Sequence, residues 1–266
     1  MQENKIFGIN GPVVTVKGKT DLEMMETVYV GNAGLIGEVI KVDSDFTTIQ
    51  VYEETTGLKP GEPVVSTGSP MSVTLGPGIL GNIFDGIERP LPEIEKKFGP
   101  FIGRGANFSS LDTEKKYSVT VKAKVGDRLS GGDIFAECPE TDIITHKAMV
   151  SPYLSGEVTE VVPDGEYTVN DTIIKLKTDS GEIKELTLCQ KWPIRNPRPI
   201  KKRLPAVKPL ITGQRVIDSV FPIAKGGAAA IPGGFGTGKT MTQHQLAKWC
   251  DADIIIYVGC GERGNE

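Results

Sequence analysis

The sequence has few side chains that could bind a metal, and none are spaced for a structural zinc site. It has four cysteines but no C-x-x-C pair, and only two histidines, so clustered zinc ligands are excluded. No apolar run approaches the roughly 18 residues of a membrane span, and the N-terminus does not resemble a signal peptide. We therefore expect a cytoplasmic chain with reduced thiols. The residues concerned are Cys138, Cys189, Cys250, Cys260, His146 and His244.

An excess of positive charge is also missing. The net charge is −4 and the isoelectric point is near 5.5, which argues against an extended nucleic-acid-binding surface. A basic, proline-rich stretch does occur at residues 192–209. We interpret it as a semi-rigid linker rather than a nucleic-acid or lipid site, because proline breaks any helix that could align its charges.

Glycine, by contrast, is abundant, and one glycine-rich segment has a specific pattern. Residues 233–240 fit G-x-x-x-x-G-K-[ST] between an apolar run, Ala228–Ile231, and a helix-forming stretch, Lys239–Trp249. That order predicts a strand, a phosphate-binding loop and a helix. Backbone N–H groups would converge on a phosphate, Lys239 would reach the β- and γ-phosphates, and the Thr240 hydroxyl would bind Mg²⁺. The predicted ATP- or ADP-binding residues are Gly233, Gly234, Phe235, Gly236, Thr237, Gly238, Lys239 and Thr240.

A second apolar run, Asp253–Val258, predicts a strand buried on both faces after this helix. Strand, helix and strand without a hairpin predict a right-handed βαβ unit, with both strands ending at the edge that carries the loop. Glu262 would then approach the terminal phosphate and activate a water, and Arg263 could neutralise phosphate charge. The residues alone leave open a solvated Glu–Arg pair. The helix face expected to pack on the sheet contains Thr242, Gln245, Leu246, Trp249 and Cys250.

The first two thirds of the chain favour short strands and turns. Four β-like runs precede residue 67 and predict a small barrel; they are Val13–Val16, Thr27–Val30, Ile36–Val42 and Thr47–Tyr52. Residues 67–109 are rich in glycine and proline and are interpreted as a connector. A second β-rich block, residues 117–188, resembles biotinyl/lipoyl carrier barrels. Because Lys147 lacks the methionine neighbours of a carrier lysine, we favour a structural barrel there.

The chain resembles the catalytic A subunit of V-type and archaeal-type rotary ATPases over essentially all of its length. The likeness is carried by residues Ala228–Glu266, Val51–Pro63, Ile83–Pro90 and Pro209–Asp218. Residues 110–190 look like the insert that F-type catalytic subunits lack. One departure is Gly234, where archaeal-type members usually carry proline; we expect it to loosen the loop without removing a ligand.

The resemblance implies a multidomain fold: an N-terminal small β-barrel (1–67), a connector that begins the nucleotide-binding domain (68–109), a β-rich barrel-like insert (110–190) and a truncated α/β P-loop (RecA-like) domain (191–266). It also implies that Glu262 is the general base, that Arg263 is a γ-phosphate partner, and that Lys239 and Thr240 hold ATP or ADP with Mg²⁺. The implied partners are non-catalytic B subunits in an alternating hetero-hexamer, with central-shaft and peripheral-stalk subunits, and no nucleic acid. ATP hydrolysis or synthesis would drive or use H⁺ or Na⁺ movement, with the chain peripheral to the cytoplasmic face of the cell membrane.

Family members continue for about as many residues again, with the Mg²⁺-side aspartate and the adenine pocket. No aspartate-ended strand follows the phosphate loop here, because Asp251 and Asp253 precede their predicted strand. We therefore expect that the 266-residue chain alone binds Mg²⁺-ATP weakly and does not turn it over.

Three other functions are weighed against an ATPase fragment. In a non-catalytic assembly protein, the phosphate loop would be a relic and the β blocks would be docking modules. A GTPase is disfavoured because no N-K-x-D motif occurs. A secretion ATPase or a transcription-termination helicase is disfavoured by the insert at 110–190 and by the acidic isoelectric point.

Overall fold

The computed structural model describes residues 4–200 and 202–261. The chain divides into two compact units, Met1–Pro199 and Ile200–Glu266. The first unit has two buried apolar cores. In the second unit, hydrogen bonds and an ion pair join the helices to the short strands.

An N-terminal barrel opens the first unit. Alternate residues of each strand point to the same side, and many of them are β-branched. Val14, Val28 and Ile49 point into the barrel core and have no solvent exposure. The six strands pair antiparallel in the order β1-β2-β5-β4-β3-β6. A bridge between Lys5 and Pro63 joins the two edges of the sheet where β1 and β6 begin. The strands are β1 (Ile6–Asn10), β2 (Val13–Lys17), β3 (Glu26–Val30), β4 (Leu35–Val42), β5 (Phe46–Val51) and β6 (Val64–Pro70). All four predicted strands are present.

The connector contains two elements that its composition did not predict, strand β7 (Ser72–Leu75) and helix α1 (Leu91–Phe98). Arg89, whose side chain is 9% exposed, donates from Nε to Asp85 Oδ2 at 2.7 Å and from Nη1 to Glu53 Oε2 at 3.0 Å. A buried guanidinium between two carboxylates satisfies its charge and fastens the connector to the end of the barrel.

The insert is a sandwich of two four-stranded antiparallel sheets, in the orders β11-β10-β8-β13 and β15-β14-β12-β9. Its core includes Phe135, Ile173 and Leu176, each at most 1% exposed. The strands are β8 (Tyr117–Val121), β9 (Arg128–Leu129), β10 (Ile134–Pro139), β11 (Thr145–Met149), β12 (Gly156–Val161), β13 (Gly165–Tyr167), β14 (Ile174–Thr178) and β15 (Ile183–Leu186). Lys147 is the third residue of β11 and lies opposite Glu137, whereas a carrier lysine needs a hairpin tip. The arrangement agrees with a structural barrel.

After the insert, strand β16 (Gln190–Pro193) returns to pair with β7. Part of the basic stretch then folds back on the first unit. The Arg195 guanidinium donates from Nη1 and Nη2 to the two carboxylate oxygens of Glu38, a residue of β4 that is 3% exposed. Arg198 stacks over the Trp192 ring at 4.6 Å. These two arginines are therefore engaged within the protein. Trp192 and Pro193, at the start of the basic stretch, belong to strand β16 rather than to a linker.

The second unit contains strand β17 (Pro209–Leu210), helix α2 (Arg215–Val220), strand β18 (Ile223–Ala224) and helix α3 (Lys239–Trp249). The predicted helix after the phosphate loop is confirmed. The predicted strands at Ala228–Ile231 and Asp253–Val258 are wrong for this structure: neither forms within the described residues. The βαβ unit is therefore not formed, and Ile256 and Val258 are 83% and 77% exposed rather than buried.

The physical reason lies in the backbone, because a parallel strand exists only where neighbouring strands take its N–H and C=O groups. In the described part of the second unit, the only strand pairing joins β17 to β18. The α3 face predicted to pack on a sheet is accordingly only half-covered, with Trp249 58% exposed.

Candidate nucleotide-binding site

The phosphate-loop sequence forms a tight glycine turn that leads directly into α3. Gly236 and Gly238 have positive φ angles of 77° and 81°, a conformation that glycine adopts at little cost. Gly238 is the N-cap of α3, in left-handed conformation, and its carbonyl accepts the Thr242 amide at 3.0 Å. The first backbone N–H groups of α3 therefore face the turn, as an anion site requires.

The start of the loop needs glycine for a different reason. A Cβ built on Gly233 would lie 2.4 Å from Thr237 Oγ1, which is too close for any side chain. Thr237 in turn donates to the Gly234 carbonyl at 2.9 Å and closes the loop. A Cβ on Gly234 would meet nothing within 4 Å, so the larger residue that the resemblance leads one to expect at this position has room.

The Lys239 ammonium lies inside the loop. Its Nζ donates to the carbonyls of Gly233 at 2.8 Å and Gly234 at 2.6 Å. A phosphate that entered the turn would offer stronger, charged acceptors to the same ammonium. Lys239 is thus held near the place where the sequence analysis expects it to act.

Thr240 is the second residue of α3 and is half-buried. Its position at the helix N-terminus, beside Lys239, fits a hydroxyl that would reach a phosphate-bound Mg²⁺. The fit to a nucleotide rests on the glycine turn, the helix end and Lys239 together. No cluster of three or more histidine, cysteine, aspartate or glutamate side chains placed to hold a metal occurs in the described residues.

Glu262 and Arg263 lie outside the described residues, and their predicted roles stay predictions. Phe235 is 94% exposed at the tip of the loop.

Sequence reasoning missed the contacts that hold the far end of α3. Asp251 directly follows the helix C-cap; its Oδ1 accepts the Ile211 amide at 3.0 Å, and its Oδ2 lies 2.7 Å from Lys225 Nζ. Asp218 accepts the Thr212 amide at 2.9 Å and the Thr212 hydroxyl at 2.7 Å. These hydrogen bonds lower the pKa of both carboxyls, that of Asp251 chiefly through Lys225 and that of Asp218 chiefly through Thr212. The sequence signal for Asp251 was its position directly after a predicted helix. Its partners Lys225 and Ile211 lie 26 and 40 residues away in the sequence.

In the described part of the chain, no helix is both long and apolar enough to cross a lipid bilayer.

Three models of one protein family match successive parts of the chain. Residues 6–68 match the beta-barrel domain of the ATP synthase alpha/beta family. Residues 108–195 match the ATP synthase alpha/beta subunit barrel-sandwich domain, and residues 213–266 match the nucleotide-binding domain of the family. The fold class predicted from sequence, an N-terminal barrel, a barrel-like insert and a partial nucleotide-binding domain, is confirmed.

Curated relatives are similar along the whole chain. It is 60% identical over 265 residues to the V-type ATP synthase alpha chain of Halothermothrix orenii, which covers 100% of this chain. It is 58% identical over 264 residues to the A-type ATP synthase A subunit of Methanopyrus kandleri, which covers 99% of this chain. The chain spans 45% of the length of each of these two relatives.

Among the solved structures that share the fold is one of low sequence identity. It is the assembled ATPase EscN of the enteropathogenic E. coli type III secretion system, with a TM-score of 0.54 and 19% identity, covering 99% of this chain and 42% of its own. At this identity the likeness concerns the fold alone.

Proposed function

Because the chain belongs to the ATP synthase alpha/beta family, with V-type and A-type A subunits among its relatives, we propose that residues 233–240 bind the phosphates of ATP or ADP and that the chain is part of the catalytic subunit of an ion-translocating rotary ATPase. The observation that carries this proposal is the glycine turn that ends at α3 with Lys239 held inside it. A turn of this kind offers backbone N–H groups, a helix N-terminus and an ammonium to one anion.

Each residue would have a defined task. Gly233 to Gly238 would provide a close-fitting backbone, and Lys239 would leave the loop carbonyls to bind the β- and γ-phosphates. Thr240 would hold Mg²⁺, which when bound would neutralise phosphate charge. Glu262 would orient and deprotonate a water, and Arg263 would bind the γ-phosphate; their support is their place in the sequence.

The proposed setting is an alternating hetero-hexamer with non-catalytic B subunits, joined to central-shaft and peripheral-stalk subunits at the cytoplasmic face of a membrane. ATP hydrolysis or synthesis would be coupled there to H⁺ or Na⁺ movement. The support is the identity of the relatives as ATP synthase subunits, each about twice the length of this chain.

We further propose that the 266-residue chain by itself is inactive. The exposed segment Asp253–Val258 supports this, because a strand that is not formed cannot present the residues that follow it to the loop. Binding of Mg²⁺-nucleotide would be weak for the same reason.

Titration with a fluorescent ATP analogue and Mg²⁺ tests the site. We expect weak, saturable binding that Lys239→Ala abolishes and that Lys248→Ala, a lysine change at the other end of α3, leaves intact. Equal binding by both variants, or no binding by the unmodified chain, would contradict the nucleotide site. Phosphate release above background that disappears in Lys239→Ala would contradict the proposed inactivity while supporting the site.

A further inference from the structure

The end of α3 is attached to the rest of the second unit through one residue, Asp251. Asp251 exchanges two hydrogen bonds with the Ile211 backbone: its Oδ1 accepts the Ile211 amide at 3.0 Å, and its own amide donates to the Ile211 carbonyl at 3.0 Å. Its Oδ2 forms an ion pair with Lys225 at 2.7 Å. Ile211 follows β17 and Lys225 follows β18, so Asp251 ties the ends of both strands to the end of the helix.

A close approach between Gly213 and Trp249, beside Asp251, constrains the same end of α3. Gly213 has a φ of 76°, and a Cβ on it would lie 2.9 Å from the Trp249 Cβ, in the last turn of α3. The turn that carries Gly213 is fixed by Asp218, whose Oδ2 accepts the Gly213 amide at 3.2 Å. Thr212 in this turn is fully buried.

Apolar packing contributes little to holding α3. Within the described residues, none of the helix's eleven residues is fully buried. Most helices in proteins are stabilised by an apolar face against a core. The His244 ring contacts the Tyr257 ring at 5.5 Å, and the C-terminal end of the helix is held by the polar contacts of Asp251 and the close approach of Gly213.

We propose that Asp251 is a positioning residue for the phosphate-binding loop: by fixing the C-terminal end of α3 to the β17–β18 ribbon, it sets the direction of the helix whose first two residues are Lys239 and Thr240. The proposal rests on the nucleotide site proposed above. An α-helix of this length is a stiff rod of about 16 Å, so an anchor at one end constrains the other end.

Two measurements on the full chain test this proposal. Hydrogen exchange of the α3 amides reports the anchor without any nucleotide. Mg²⁺-ADP affinity reports the loop. We expect Asp251→Ala to speed exchange across α3 by about tenfold and to weaken Mg²⁺-ADP binding several-fold, because local opening raises exchange in proportion to its population. Gly213→Ala should act in the same direction through the Trp249 contact.

Graded variants separate anchoring from unfolding. Asp251→Asn keeps an oxygen for the Ile211 amide and loses the charge that pairs with Lys225, so it should restore most of the protection and affinity lost in Asp251→Ala. Lys225→Met should resemble Asp251→Asn. The matched control is Asp253→Ala, an exposed aspartate two residues further on, which should behave as the unmodified chain.

Several results would overturn the proposal. Exchange across α3 that changes less than about twofold in Asp251→Ala, or equally in Asp253→Ala, would show that Asp251 is not the anchor. Faster exchange across α3 with unchanged Mg²⁺-ADP affinity in Asp251→Ala and Gly213→Ala would show that the anchor does not position the loop. Absence of nucleotide binding by the unmodified chain would instead contradict the proposed function, and the exchange measurement would still decide whether Asp251 anchors the helix.

Discussion

Strand β3 in the barrel and residues 254–258 in the second unit are both short apolar runs with β-branched residues. Only the first of them forms a strand. In β3, Val28 and Val30 are fully buried, and the strand is paired with β4 on one side and β6 on the other. In the second run, Ile256 and Val258 are mostly exposed and no strand forms. An apolar β-rich sequence therefore becomes a strand only where neighbours satisfy its backbone and cover its side chains.

The Arg89 cluster of the first unit and the Asp251–Lys225 pair of the second differ in the same way. Arg89 is enclosed with Glu53 and Asp85, and all three side chains are at most 14% exposed. The Asp251–Lys225 pair is 42% and 45% exposed. The first unit therefore encloses this one charged cluster away from water, while the second holds its helix with contacts that water shares.

Hydrogen exchange should show the largest contrast between the two apolar runs. Amides of Val28 and Val30 should exchange only on unfolding of the barrel and be slowed by at least about 10³-fold. Amides of residues 254–258 should exchange near the rate of an unstructured chain. Mass spectrometry of peptides from the two segments measures both at once. Comparable protection of the two segments would break the comparison and restore the predicted strand.

The buried charges give the next largest effect. Arg89→Met leaves two buried carboxylates without their cation, and we expect a loss of about 3–5 kcal/mol in the free energy of unfolding of the first unit. Urea denaturation measures it. The matched control is Arg128→Met, which breaks a surface pair with Asp179 in the insert. A similar loss in both variants would show that burial is not the cause.

Shortening one isoleucine in each unit tests the apolar contrast directly. Ile49→Ala removes a fully buried side chain from the barrel core, and we expect a loss of about 2–5 kcal/mol from lost burial and the cavity left behind. Ile256→Ala makes the same change at an exposed position and should alter stability by no more than about 0.5 kcal/mol. Thermal and urea unfolding of both variants provide the measurement. A large effect of Ile256→Ala would mean that this segment is packed.

Acid should destabilise the first unit slightly through His146. Burial lowers the pKa of this imidazole, against the opposing effect of Glu140 and of the Leu188 carbonyl at 3.2 Å. The unfolded chain therefore takes up a proton that the folded one resists, and stability should fall as pH drops below about 6.5. The urea midpoint between about pH 7.5 and 5.5 measures this slope.

His146→Gln should remove the part of the pH dependence of stability that comes from this imidazole, while keeping a donor for the Leu188 carbonyl. His244→Gln, in the second unit, is the control and should leave the pH dependence of the first unit as it is. An unchanged slope in His146→Gln would assign the acid effect to other groups.

Much of the fold was predictable where the signal is local. Four of the six barrel strands, the β-rich insert and α3 follow from periodicity, turn residues and the glycine loop. Helix α1 and strand β7 were missed because Gly and Pro dominate their surroundings, although Pro90 and Gly99 bound the helix. The domain boundaries at single-residue precision stay a prediction.

In the candidate site, too, local features were predictable and long-range contacts were not. The loop residues from Gly233 to Thr240 were chosen by pattern, and the turn and helix form there. The anchor at Asp251 was not found, because its partners Ile211 and Lys225 lie far away in the sequence and their approach depends on the ribbon. Glu262 and Arg263 remain sequence-based proposals.

By itself, the sequence determined the family, the order of the barrel, the insert and the phosphate loop, and the residue types that a nucleotide would meet. These depend on local preferences, since glycine suits the positive φ angles of Gly236 and Gly238 and lysine and threonine supply the charge and hydroxyl. Only the tertiary structure decided that Asp253–Val258 is exposed, that Arg195 and Arg198 are bound within the first unit, and that Asp251 holds α3. Each of those outcomes depends on groups distant in sequence, whose hydrogen bonds and burial exist only after the chain has folded.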